Sequence, residues 1–366
     1  MQPRDKLSEA RLRHAAHYLE VIRGCDALYL QGGENLTRAL ATFDLEMNNI
    51  EKGQRWAMSR LQDDVAARRL VSDYPVAGAY LLDLRQHPRE RIASLEAALE
   101  AARRLKDWGR EAVHLANVGL AYAAIGEMPR AIKSHEQALT VTREIGDRRG
   151  EGQVLGNLGL AYYDLGETRR AINFYEQYLP IAQETGDRRG EGIALTNLGA
   201  AYFSLGEPRR AIDFFEQALV IDREIGDLRS ESLDLSNLGI AYKELGEMRR
   251  AIDFYEQALV IARRIGDRRG ESIVLGKLGA VYYGLGDPDR AIESHEQALT
   301  IAREIGDRLC EAIALFNLSN ALYEIRPREQ AMVLMEAALP IFEQIESPYA
   351  ARARETLTKW RTFASE

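Results

Sequence analysis

The side chains here with the means to react or bind are six histidines, two cysteines and a file of asparagines forty residues apart. The spacing His14-x-x-His17 suits a metal on one helix face, but no companion ligand lies near it in sequence. His135 and His295 hold the repeat position that carries Tyr175, Phe215 and Tyr255 in other units, so both are expected to pack inward; His87 and His114 complete the set. Cys25 and Cys310 form no metal or redox spacing and read as reduced thiols. The chain lacks a nucleophile elbow, H-E-x-x-H, C-x-x-C and the phosphate loop G-x-x-x-x-G-K-[ST]. No catalysis, metal or cofactor is expected from these residues.

The asparagines are the stronger signal. Asn117, Asn157, Asn197, Asn237 and Asn317 each stand two residues before the small residue of a repeated N-L-G-x-A-Y-like segment, with Lys277 at the sixth such place. At ~100° per residue this position lies about 135° from the centre of the apolar stripe, so it faces away from the hairpin core. Neighbouring positions on that face drift, as in Ala123, Tyr163, Phe203, Lys243, Tyr283 and Tyr323. A carboxamide offers both donor and acceptor to the main chain of an extended peptide, whatever its sequence. First helices stacked ~10 Å apart would meet a strand rising ~3.3 Å per residue about every third residue. Tyr163, Phe203, Tyr283 and Tyr323 suit apolar or aromatic anchors, and Lys243 with Lys277 a site for an acidic group. Two alternatives stand beside this: each Asn pins a neighbouring first helix, and Lys243 pairs with Glu244. Gln137, Gln177, Gln217, Gln257 and Gln297 recur as faithfully on second helices.

What positions these residues is a repeat of 40. Asn157-Leu158-Gly159-Leu160-Ala161-Tyr162 returns as Asn197 to Tyr202 and Asn237 to Tyr242, and Arg170-Ala171-Ile172 returns as Arg210-Ala211-Ile212 and Arg250-Ala251-Ile252. Each unit parses into two helices. The first, about Gly152 to Leu165, carries Leu155, Leu158, Gly159, Tyr162 and Leu165 on one face; the second, about Arg169 to Thr185, buries Ala171, Ile172, Tyr175 and Leu179. Gly166 and Gly186 end them, and Asp187 is placed to cap the next. A lone hairpin cannot bury both faces, so units must stack.

Leu, Gly and Tyr followed by Ala at these spacings resemble the tetratricopeptide repeat in a 40-residue form. The pattern E-G-x-A-L-x-N-L-G-x-A-Y-x-x-L-G-E is similar to that of kinesin light chains, of animal spindle-orientation adaptors and of the sensor arrays of bacterial STAND-type signal-transduction NTPases. The resemblance implies an all-α, right-handed α-solenoid of stacked hairpins over 71–346, with a degenerate unit at 71–111, where Ala79 and Leu82 replace the glycine and tyrosine, and six units from 112. It also implies an asparagine row in contact with ligand. Chaperone-tail binding is disfavoured, because the tetratricopeptide proteins of that kind use several basic residues around an asparagine, whereas Ile273, Thr196 and Ala200 fill the matching places here. Residues 1–70 read as a helical cap with a break at Gln31-Gly32-Gly33, similar also to the segment joining NTPase core to array, and 347–366 as a capping helix.

The bulk numbers limit the partners. A net charge of −8 argues against broad nucleic-acid binding, and arginine pairs such as Arg148-Arg149 and Arg268-Arg269 sit beside acids that compensate them. No apolar run approaches a membrane span, and no signal peptide opens the chain, so a cytoplasmic place is expected. The expected function is a scaffold that holds a peptide segment of a protein partner in a concave groove. A ligand-sensing module for a separate NTPase or effector is the leading rival, and self-association through a terminal helix a third reading.

Overall fold

The computed structural model describes residues 3–325 and 328–364, and every regular element among them is an α-helix. Two compact units, Met1–Gly190 and Glu191–Glu366, are described separately. The first holds α1 (Pro3–Gln31), α2 (Gly33–Ser59), α3 (Val65–Ala77), α4 (Ala79–Arg85), α5 (Pro88–Leu105), α6 (Trp108–Ala124), α7 (Met128–Ile145), α8 (Arg148–Asp164) and α9 (Thr168–Glu184). The second is built from α10 (Arg188–Ser204), α11 (Pro208–Ile225), α12 (Leu228–Glu244), α13 (Met248–Ile265), α14 (Arg268–Gly284), α15 (Pro288–Ile305), α16 (Arg308–Ile325), α17 (Arg328–Gln344) and α18 (Tyr349–Ala364). From α6 to α17 the helices pair as six hairpins, and the fold is an all-α repeat solenoid.

First helices begin about four residues earlier than the apolar stripe suggests. The Asp147 carboxylate accepts the Gly150 amide at 2.9 Å, which starts α8 at Arg148. In the same turn Glu151, 6 % exposed, is clasped by Arg143 Nε at 2.8 Å and Arg148 Nη1 at 2.5 Å. The clasp recurs at Glu111 with Arg103, Glu231 with Arg223, Glu271 with Arg263 and Glu311 with Arg303. At these five places it ties the end of a second helix to the start of the next first helix.

Within a hairpin the crossing is set by a ring on a glycine. A methyl group on Gly159 would lie 2.3 Å from the Tyr175 ring, and on Gly239 2.5 Å from Tyr255. Phe215 covers Gly199 in the same way, and His135 and His295 cover Gly119 and Gly279. These histidines are packing groups as expected: each is 1 % exposed, and burial pushes its pKa down to about 4, so both are neutral. In the last hairpin Ser319 replaces the glycine, and the residue facing it is Met335, with Oγ and Sδ 3.9 Å apart. A flexible thioether can yield to a Cβ where a flat ring cannot.

The degenerate unit differs from a plain hairpin because its first helix is broken into α3 and α4. A Cβ at Gly78 would meet Ile22 of α1 at 2.1 Å, so α1 wedges into the break. Asp26, also on α1, accepts the amides of Tyr80 and Leu81 at 3.1 Å each and so caps α4 from another helix. Tyr74 Oη donates to the Ala15 carbonyl at 2.7 Å and fastens α3 to α1. Together with Phe43 and Ile50 of α2 these residues form the N-terminal core.

The ring-on-glycine contact predicts that Gly239→Ala destabilises the protein by about 1–3 kcal/mol through overpacking. The double variant Gly239→Ala/Tyr255→Met, which copies the Ser319–Met335 pairing, should recover part of that loss. Urea unfolding measures both; an alanine at 239 as stable as wild type would refute the contact.

Candidate functional site

In the first unit Asn117 on α6 and Asn157 on α8 line one cavity of about 410 Å³, walled by Val113, Leu120 and Gln153. In the second, Asn197, Asn237, Lys277 and Asn317 fall on α10, α12, α14 and α16. Lys243, Lys277 and Asn317 share a cavity of about 390 Å³ with Ile240, Ile273 and Tyr349. Asn317 also borders a cavity of about 420 Å³ with Tyr283 and Arg352. All six residues at the row position are half-buried.

The amides of the two recurrent files behave differently. Gln177 donates to Asn173, Gln217 to the Asp213 carbonyl, Gln257 to the Asp253 carbonyl and Gln297 to Glu293. Four of the five second-helix glutamines thus donate within their own helices, and Gln257 and Gln297 also accept from Arg223 and Arg263; Gln137 makes no such bond among the described residues. Among the described residues the side-chain amides of Asn117, Asn157, Asn197 and Asn317 have no protein hydrogen-bond partner. Asn237 departs from them, because its amide lies against the Asp234 carboxyl.

Two lysines stand in for amide or apolar groups in the second unit. Lys277 Nζ donates to Ser236 Oγ at 2.7 Å, and burial lowers its pKa to about 8. Lys243 is exposed, and among the described residues neither lysine has a carboxylate within 4.0 Å, so the alternative of a Lys243–Glu244 pair is not what forms. Of the aromatic candidates, Tyr163, Phe203 and Tyr283 are half-buried on first helices. Tyr323 is different: Trp360 of α18 stacks on it at 4.0 Å and 5°, and the Arg328 guanidinium lies 5.2 Å from the ring centre. The terminal helix thus covers the ring that the sequence offered as an anchor.

Sequence reasoning missed a buried acid pair beneath the row. Asp234 on α12 is 0 % exposed and Asp222 on α11 4 %. Thr196 Oγ1 donates to both Asp234 oxygens, at 2.9 and 3.0 Å. Burial holds the Asp234 carboxyl well above the usual range, the Thr196 hydroxyl opposes this, and Asp222 beside it adds to the rise. The clue was available in register: four other units carry Val154, Ala194, Val274 and Ala314 at the first position, with His114 in the remaining one, and at the second position stand Thr142, Ala182, Ala262, Ala302 and Phe342, none of them acidic.

The arginine pairs are engaged by carboxylates and rings. Arg148 reaches Glu184 at 2.6 Å, Arg269 reaches Asp307 at 2.9 Å, and Arg170 pairs with Glu167 at 2.8 Å. Arg210 also lies 3.9 Å from the centre of the Tyr202 ring. Among the described residues no helix is long and apolar enough to cross a membrane.

Comparison with known proteins agrees with this architecture. A family model described as tetratricopeptide repeat matches residues 110–184, 231–304 and 271–344, and a second of the same description matches 192–224. Among proteins of curated function none matches the chain. A Signal Transduction ATPase with Numerous Domains protein with a tetratricopeptide repeat sensor, from Pyrococcus horikoshii, is similar at 19 % identity and a TM-score of 0.64, over 98 % of this chain and 50 % of its own. Aspartyl phosphate phosphatase F from Bacillus subtilis is similar at 14 % and 0.62, over 90 % and 93 %. A Rap protein complexed with Competence and Sporulation Factor is similar at 15 % and 0.54, over 98 % and 99 %.

The acid pair yields a pH dependence of definite sign. Unfolded, Asp234 would titrate near pH 4, whereas the native chain keeps its proton to higher pH. The folded state therefore binds more protons across that interval, and stability falls as pH rises through it, by up to about 1.4 kcal/mol per unit. Asp234→Asn should flatten this slope and melt higher than wild type at neutral and alkaline pH. Melting curves taken from pH 5 to 9 would dismiss the pair if both proteins run parallel.

Proposed function

Because the chain belongs to the tetratricopeptide repeat family, we propose that it is a non-catalytic scaffold whose first-helix face holds an extended peptide segment of a protein partner. The observation that carries this is the contrast between the two amide files: four of the five row asparagines are half-buried and keep their hydrogen-bonding groups, while four of the five recurrent glutamines donate theirs within their own helices. A carboxamide at the edge of a cavity can exchange water for a peptide main chain with modest net gain per bond, about 0.5–1.5 kcal/mol. A row of them reads backbone rather than side chains. Selectivity then falls to Tyr163, Phe203 and Tyr283 as apolar contacts, and to Lys243 and Lys277 for acidic side chains.

A second reading is a sensor module for a separate NTPase or effector. It is favoured by the likeness over 98 % of this chain to half of a signal-transduction ATPase whose repeats are described as a sensor. In that reading the same face binds the ligand, and the effect is exerted on another protein. Capture of an NTPase by the ligand-bound but not the free chain would select it.

The test uses peptides chosen by affinity selection on the full chain, followed by fluorescence anisotropy. Asn117→Ala/Asn157→Ala in the first unit and Asn197→Ala/Asn317→Ala in the second should each weaken binding about tenfold where that unit is contacted, with melting nearly unchanged. Gln217→Ala/Gln257→Ala is the matched control and should bind as wild type. If both asparagine pairs leave affinity intact, the face does not hold peptide through its amides.

The lysine site has its own pH signature. Lys277 loses its proton as pH rises through about 8, so affinity for acidic peptides should decline across that range and the decline should vanish in Lys277→Asn. An acidic peptide whose binding is flat from pH 7 to 9 would exclude Lys277 from the contact.

A further inference from the structure

One position in the repeat is occupied against its own rule. Ala131, Ala171, Ala211, Ala251, Ala291 and Ala331 hold the same place on six second helices, and all are 0 % exposed. The degenerate unit has Arg91 there, on α5, and the guanidinium is buried, with 6 % of the residue exposed. Its surroundings do little for it. Nη2 donates to the Pro75 carbonyl at 3.5 Å, the far limit of a hydrogen bond, and Nη1 has no partner. Among the described residues no carboxylate oxygen comes within 4.0 Å. Asp26 and Asp83 attract it from further away, and Asp26 is already committed to the amides of Tyr80 and Leu81. A buried cation with idle donors is among the more expensive features a small core can carry.

Arg91 belongs to the wall of a cavity of about 480 Å³ in the first unit. Asp83 and Asn117 border the same space, and Leu84, Leu95 and Leu120 give it apolar surface. Asp83 is exposed and has no ion pair among the described residues. One cavity thus presents a buried guanidinium and an exposed carboxylate that form no close ion pair, a free carboxamide and a leucine-rich wall.

We propose that this cavity binds a zwitterion of the α-amino acid type, free or at the end of a short peptide, with its carboxylate on Arg91 and Asn117, its ammonium on Asp83, and an aliphatic side chain against Leu84, Leu95 and Leu120. The planar guanidinium is the group best suited to a carboxylate, because its N–H donors match both oxygens. The site shares Asn117 and Leu120 with the peptide-holding face, whereas Arg91 and Asp83 belong to it alone, so either can fail without the other.

Calorimetric titration of the full chain with L-leucine, leucyl-leucine, N-acetyl-L-leucine and L-leucine methyl ester tests the assignment. Leucine or leucyl-leucine should bind, and the stronger of the two identifies a free amino acid or a peptide as the source. The acetylated and esterified forms, each lacking one charge, should bind at least about tenfold more weakly. Asp83→Asn, at an exposed position, should abolish the discrimination against N-acetyl-L-leucine, and Arg91→Met should abolish binding of leucine. Asn157→Ala should leave both intact. Absence of heat with leucine and leucyl-leucine at millimolar concentration overturns the proposal, as does equal binding of the blocked forms; if Arg91→Met does not fold, the Asp83→Asn comparison decides alone.

Discussion

A flat ring seated on a bare glycine decides most of what this protein can present to the outside. With Tyr175 over Gly159, or His135 over Gly119, the two helices of a hairpin are locked at one depth and one rotation. The rotation of the first helix then determines which side chains remain on its far face. Residues two before the small residue are carried to half-buried positions, and Asn117, Asn157, Lys277 and Asn317 among them border cavities. The glutamate clasp, as between Glu151, Arg143 and Arg148, does the corresponding work between hairpins. One contact orients a hairpin and the other passes that orientation to its neighbour.

Such regularity makes exceptions informative. In an ordinary core a buried aspartate is one polar residue among many environments. In a repeat it can be set beside its own counterparts, and the comparison separates what packing requires from what it merely tolerates. Asp222, Asp234 and Lys277 each stand where sister units have apolar or neutral groups, and each lies within or below the row on the second unit. Arg91 is the same kind of departure in the first. Departures of this sort lower stability, so their presence calls for a compensating role or a surviving partner.

The repeat, the bounds of the second helices, the inward histidines and the pairing of arginine with neighbouring acids were legible in the sequence, because each depends on residues within one period; the start of the first helices, about four residues before the apolar stripe, was not. What was not legible depends on residues far apart. The break at Gly78 arises from Ile22 and Asp26, more than fifty residues earlier, and no local pattern announces it. Tyr323 looks like its counterparts Tyr163 and Tyr283 in register, yet Trp360 from the terminal helix lies across it. For the row itself the sequence supplied position but not occupancy. Whether an amide is spent on its own helix or left unspent is decided by side-chain geometry, and that separated four of the asparagines from four of the glutamines.

The treatment of buried charge differs between the joints of the hairpins and the row. Burial alone would raise the pKa of Glu151, yet the two arginines that clasp it bring it below the ordinary value and keep it ionised. Asp234 is buried more completely and has a hydroxyl and a second acid for company, so the same penalty drives it toward its neutral form. Lys277, with only Ser236 to bond, is driven toward neutrality from the other side. Burial is thus countered by a charge partner where the residue holds hairpins together, and left uncountered where the residue lies at the row. Groups in the second class are the ones whose charge state an arriving ligand can still change, since an acidic side chain beside Lys277 would restore the proton that burial makes easier to lose.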